Sequence, residues 1–155
     1  MASINDCIAA LSETITTATG LRVVGLGSMD APPVPCVMIY PDSPFADEGY
    51  YSAFKRGVFN LRLVVEPCLP TTSLRSAVNE LNDWLSPFGV KSIAQAIHQA
   101  PTLGTSATEN PAASDATMTV SFGKAPDDYR PIAAFDGTRY ISAKIYVHIM
   151  TRGDQ

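Results

Sequence analysis

The chain has 155 residues, a net charge of −4 and 17% charged side chains, against about 25% in ordinary globular proteins. An acidic chain with scattered basic residues excludes a basic nucleic-acid-binding face. Its three cysteines, Cys7, Cys36 and Cys68, are odd in number and widely spaced, which argues against a disulfide framework or a zinc site and for a reducing cytosol.

The length favours one domain with a sizeable core. A sparsely charged surface suits a subunit whose faces are covered by neighbours. No apolar run approaches the roughly 20 residues that span a bilayer, so no membrane partner is expected. Met1-Ala2-Ser3-Ile4-Asn5-Asp6 lacks a basic and then apolar leader pattern, so no secretory leader is expected.

Ile4, Ile8, Leu11 and Ile15 recur at helical spacing and predict a helix from about Ile4 to Thr17, capped by Ser3 and stopped at Gly20. Cys7 lies in this pattern as a small buried hydrophobe. A short strand follows at Arg22–Leu26, then a loop punctuated by Gly27, Pro32, Pro33 and Pro35. Cys36 to Tyr40 reads as a strand ended by Pro41. Residues 42–53 read as a polar, aromatic loop. Alternation of Phe59, Leu61, Leu63 and Val65 with Asn60 and Arg62 predicts a strand from about Phe54 to Val65, broken by Pro67 and Pro70.

The second helix is expected from about Thr72 to Leu85, with Leu74, Val78, Leu81 and Leu85 as its core stripe and Trp84 beside it. A shorter helix follows over Ser92–Gln99, with Ile93 and Ile97 inward. Residues 104–115 read as a loop. A strand at Ala116–Phe122 is joined by a long excursion, Gly123–Arg139, with an extended part expected near Arg130–Phe135, to the clearest strand of the chain, Tyr140–Thr151. There Ile141, Ala143, Ile145, Val147 and Ile149 line one face, and Tyr140, Ser142, Lys144, Tyr146 and His148 the other. The order lacks βαβ alternation. It predicts an α+β domain: an antiparallel or mixed β-sheet with two to three helices on one face and long loops for subunit contacts.

Catalytic, cofactor and metal motifs are absent from this reading, and no cofactor is expected. His98 and His148 have no Cys, Asp or Glu partner at ligand spacing and read as structural. Gly25-Leu26-Gly27 lacks the third glycine and the helix start of a dinucleotide loop. Asp127-Asp128 lacks a third carboxylate and reads as a solvated loop tip. Aromatics concentrate instead in the two long loops. Phe45, Tyr50, Tyr51 and Phe54 gather near the first, and Tyr129 and Phe135 in the second. Such rings are what interfaces enrich, and they are the candidate subunit-interface residues. The alternative is that they fold back to cap the core.

A further pattern runs along nearly the whole chain. Gly20-Leu21-Arg22-Val23-Val24 leads to Pro32-Pro33-Val34-Pro35-Cys36-Val37-Met38-Ile39-Tyr40-Pro41-Asp42, and then to Gly57–Val65. Asn82-Asp83-Trp84-Leu85 precedes Ser92-Ile93-Ala94-Gln95-Ala96-Ile97 and Pro101-Thr102-Leu103-Gly104. Gly137-Thr138-Arg139-Tyr140 opens the last strand. This layout resembles the tail terminator proteins of long-tailed bacteriophages, of the actinobacterial phage type. The resemblance implies a single tail-terminator-like domain over residues 1–155 and a structural, non-enzymatic role in the virion. It implies a homo-oligomer, a hexameric ring that caps the tail tube, stops its polymerisation and joins the tail to the head. The implied partners are the major tail tube protein and the head-side connector or stopper protein. DNA would pass through the lumen without sequence-specific binding, and assembly would take place in the host cytoplasm.

A ring needs head-to-tail contacts that close, and the two aromatic loops and a sheet edge are the expected sources of them. A net-negative wall would also let DNA slide without sticking. The alternatives are a head-completion or stopper protein of the same neck, and a small enzyme or ligand-binding domain using His98 or a tyrosine.

Overall fold

A computed structural model describes residues 4–25, 35–46, 60–103, 118–133 and 139–151. The elements in chain order are α1 (Ile4–Thr19), β1 (Val23–Gly25), β2 (Cys36–Ala46), β3 (Asn60–Pro70), α2 (Leu74–Leu85), α3 (Ile93–His98), β4 (Met118–Ala133) and β5 (Arg139–Thr151). The five strands form one mixed sheet in the order β1-β2-β3-β5-β4. Only β1 and β2 run parallel; the other neighbours are antiparallel. This is an α+β fold, with three helices among the described residues.

Strand parity decides which side the helices occupy. Successive side chains of a strand point to opposite faces. Val37, Ile39, Leu61, Leu63, Val65 and Leu69 therefore share a face with Ile141, Ala143, Ile145, Val147 and Ile149. These residues form one buried cluster with Cys7, Leu11 and Ile15 of α1, Leu81 and Trp84 of α2, and Ile93 and Ile97 of α3. Each fully buried Leu or Ile contributes about 1.5–3 kcal/mol relative to exposure. Gly20 closes α1 at φ +72, donating its N–H to Thr16 O at 2.8 Å. A left-handed stop of this kind favours glycine. Lys91 Nζ donates to the last-turn carbonyl of Thr19 at 3.0 Å, a cation placed at the negative end of the helix.

Several elements run further than their breakers suggest. β2 continues through Pro41 to Ala46, with a register shift between those two residues. Pro67 lies inside β3. Pro67 has no N–H to give to β5, and the ladder skips Glu66 and Pro67 and resumes in the same register at Cys68↔Ser142, so the proline interrupts the pairing without ending the strand. The largest correction concerns Gly123–Arg139. Its first half is strand, not loop. β4 runs to Ala133 and keeps pace with β5 through three register shifts, between Phe122 and Lys124, Lys124 and Asp127, and Asp127 and Arg130. Each bulge inserts a residue and erases the period of two, so the alternation that marks a strand is lost after Phe122. Residues 134–138 lie outside the described residues.

Helix α2 is rotated from the expected stripe. Ala77, Leu81 and Trp84 are its buried residues. Val78 and Leu85 pack at the margin of the core, and Leu74 is 53% exposed. The bulky Trp84 needs the centre of the helix–sheet interface, and that turns Leu74 outward. Leu81→Ala is therefore expected to cost about 2–5 kcal/mol, and Leu74→Ala to stay within about 0.5 kcal/mol. Urea unfolding midpoints of the two variants check the rotation; equal losses would contradict it.

Candidate functional site

Two regions hold groups that the core does not use. The first is the sheet face turned away from the helices. It carries Cys36, Met38, Tyr40 and Asp42 of β2, Arg62, Val64, Glu66 and Cys68 of β3, and Tyr140, Ser142, Lys144, Tyr146 and His148 of β5. Glu66 is only 5% exposed. Tyr40 Oη donates to its Oε1 at 3.0 Å, and the Cys68 thiol lies 3.9 Å from its Oε2. Burial is the main cause that lifts the Glu66 carboxyl above its ordinary value. The Tyr40 hydroxyl and Lys144 act in the opposite direction, but burial outweighs them. Ser142 Oγ is buried here too, with no hydrogen-bond partner among the described residues.

Beside this centre, charges of β4 are paired within the strand and across to β5. Lys144 Nζ lies 2.9 Å from Asp128 Oδ2, and Lys124 Nζ 3.2 Å from Asp127 Oδ2. Tyr146 Oη donates to Asp127, and Lys124 stands over the Tyr146 ring at 4.1 Å. The Tyr146 hydrogen bond is the main cause that lowers the Asp127 carboxyl. Asp127 and Asp128 are thus exposed as expected, but they stand on a strand and pair with lysines instead of forming a loop tip. Among the described residues no group of three His, Cys, Asp or Glu side chains is placed to hold a metal ion.

The second region lies where α2, α3 and β4 meet. Phe88 is 79% exposed and Val90 83%, both in the turn between the helices, and Phe122 of β4 is 42% exposed. Phe88 and Phe122 line a shallow hollow of about 380 Å³ with Pro87, Ala94, Gln95 and His98. The local sequence builds this corner tightly. Ser92 caps α3, accepting from Gln95 N at 3.0 Å, and its own hydroxyl donates to Ser86 O. Gln95 Oε1 accepts from Gly89 N at 2.7 Å. Ile93, Ala96 and Ile97 are buried. Leu103, buried at φ +51, donates its N–H to Ala100 O, and Pro101 O accepts from Val120 N at 2.8 Å. The motifs at Ser92–Ile97 and Pro101–Leu103 are therefore packing and capping devices that fasten α3 to β4.

The expected interface residues fare unevenly. Tyr129 lies on β4, not in a loop; it is 44% exposed, and its hydroxyl donates to Asn82 Oδ1 of α2 at 3.1 Å. Its ring is partly committed to its own chain. The backbone of Phe45 belongs to β2. Tyr50, Tyr51, Phe54 and Phe135 lie outside the described residues. The exposed β4 edge is a poor template for strand addition. Pro126 and Pro131, the charges of Lys124, Asp127, Asp128 and Arg130, and three bulges all oppose pairing there. His98 is an exposed residue at the rim of the hollow, and His148 sits on the helix-free face beside Asp42 and Arg62.

Sequence reasoning passed over Phe88, whose signal was a large ring set between the helix breakers Pro87 and Gly89. It also passed over Glu66, a carboxylate in phase with the buried, helix-free side of β3. No protein-family model matches this chain, and no curated protein matches it.

The raised Glu66 carboxyl has a stability consequence. A carboxyl raised above its unfolded value, 4.5 here, favours the folded state fully below that pH and less as pH rises through the folded value. The wild type is expected to lose stability over that interval relative to Glu66→Gln, which keeps the acceptor for Tyr40 and carries no charge. Unfolding midpoints of both proteins from pH 4 to pH 8 check this; parallel curves would rule it out.

Proposed function

We propose that this chain is a structural virion subunit, a tail terminator that forms a six-membered ring on the tail tube, halts its polymerisation and joins the tail to the head connector. In this reading the protein is not an enzyme. The observation that carries it is the corner of α2, α3 and β4. The same motifs that bear the resemblance to tail terminators build that corner, and on its surface stand Phe88, Val90 and Phe122, large apolar side chains left to water. Apolar groups gathered on a chain with few charges are a recognised mark of a protein contact. Heterologous ring contacts use two different patches per subunit, and this corner is one of them in the proposal. The blocked β4 edge makes the contact one of side chains and not of added strands.

The test is microscopy of the purified protein, alone and mixed with the tail tube protein of its own phage. Six-membered rings, and tubes capped at one end, are the expected result. A phage lacking the protein should make overlong tails. Tails of normal length on leaking heads would point instead to a stopper of the neck, and a monomer that ignores tubes would overturn both. Within this reading, Phe88→Glu combined with Phe122→Glu is expected to weaken subunit association at least about 10-fold, since losing one interface anchor commonly costs 1.4 kcal/mol or more. Sedimentation measures the loss, and an unchanged far-ultraviolet circular dichroism spectrum shows that the subunit still folds. Undiminished association would remove this corner from the interface.

A further inference from the structure

Cys36 and Cys68 are far apart in the chain but stand directly opposite each other on β2 and β3. Val37 donates its N–H to Arg22 O, on the side away from β3, at 2.7 Å. By alternation, Cys36 turns its own N–H and C=O toward Cys68, and the two form a hydrogen-bonded antiparallel pair. The Cα atoms of such a pair lie about 5.5 Å apart, well inside the span of roughly 4.4–6.8 Å that disulfides use. Both side chains project from the helix-free face, where they cluster with Tyr140, Val24 and Met38. Both thiols are free, and each lies within hydrogen-bonding reach of the other. Cys7, the third thiol, is buried on the opposite side of the sheet in the helix-side core.

We propose that Cys36 and Cys68 are an oxidation site, a cross-strand dithiol that closes to an intramolecular disulfide when a two-electron oxidant reaches it. The inference stands apart from the ring reading and holds for a monomer equally. The two sulfurs are not equivalent. The neighbouring Cys68 side chain and the Arg22 cation both favour the Cys36 thiolate. Cys68 is held protonated by its hydrogen bond with Cys36, by burial and by Glu66. Cys36, beside the Arg22 cation, is the attacking sulfur in this proposal. It is also the first residue of β2, next to exposed Pro35, where a strand end opens most readily to a small neutral reagent.

With a diazene such as diamide, the Cys36 thiolate adds to one nitrogen of the N=N bond, and the other nitrogen takes up a proton. Cys68 then gives up its proton and attacks Cys36 Sγ. The S–S bond forms as the S–N bond breaks, and the reagent leaves as a hydrazine carrying two electrons and two protons. Closure draws the two side chains together, since the Cβ atoms of a disulfide sit closer than those of an ordinary strand pair.

The experiment starts from reduced, folded protein freed of reductant. It is treated with diamide, then unfolded and alkylated with iodoacetamide. One alkylated cysteine instead of three is expected, with Cys7 bearing the label and the Cys36 and Cys68 peptides linked. Thiol reductant should restore three. In Cys36→Ser, both remaining thiols should stay alkylatable after the same treatment. Cys68→Ala gives the same test if the serine variant does not fold. Three labelled cysteines in the treated wild type would overturn the proposal. So would a link through Cys7 or between two chains.

Discussion

The two central strands, β3 and β5, must each serve two different solvents, and the rest of the structure follows from how they do so. Along both, alternate residues point to opposite faces. The odd-numbered series from Leu61 to Leu69 and from Ile141 to Ile149 is apolar throughout its paired stretch, apart from Pro67. Burying that series requires a second layer. α1, α2 and α3 provide it because each carries a matching stripe, and α2 turns so that Trp84 rather than Leu74 enters the contact. A shift of one residue in the β3–β5 register would send the apolar series outward and bring Glu66 and Lys144 under the helices, so the register is held by the whole core.

The even-numbered face then inherits the groups that the core rejects. It is not a plain solvated face. Glu66, Ser142, Cys68 and Cys36 are all buried there, and tyrosines 40, 140 and 146 lie among them. A carboxylate at this position is costly, and its proton affinity rises accordingly. Folds usually fill such positions with apolar groups. The pairing of two thiols beside that carboxylate falls in the same small region.

The motifs that first drew attention to Ser92–Ile97 and Pro101–Leu103 turn out to be structural. The serine caps a short helix, the glutamine ties back to the preceding turn, and the leucine takes a left-handed backbone to close the segment onto β4. What they achieve is a firm corner on which Phe88 and Phe122 are displayed. Under the proposed ring function, the corner contributes by shape and by exposed apolar surface.

The sequence by itself determined the α+β class, the three helices and the two-faced character of β3 and β5, because those features are written in local periodicity. Ile4 through Ile15 and Ile141 through Ile149 repeat at the spacing of their own backbones. It misplaced what depends on neighbours. The second half of β4 shows no alternation because its bulges erase the period of two, and only the ladder with β5 makes one strand of it. Pro41 and Pro67 are marks of a strand end, yet both strands continue through them, the β3–β5 ladder skipping Glu66 and Pro67 and resuming at Cys68↔Ser142. Cys36 and Cys68, more than thirty residues apart, met only when β2 and β3 paired, because register is a property of two strands and is not contained in either alone.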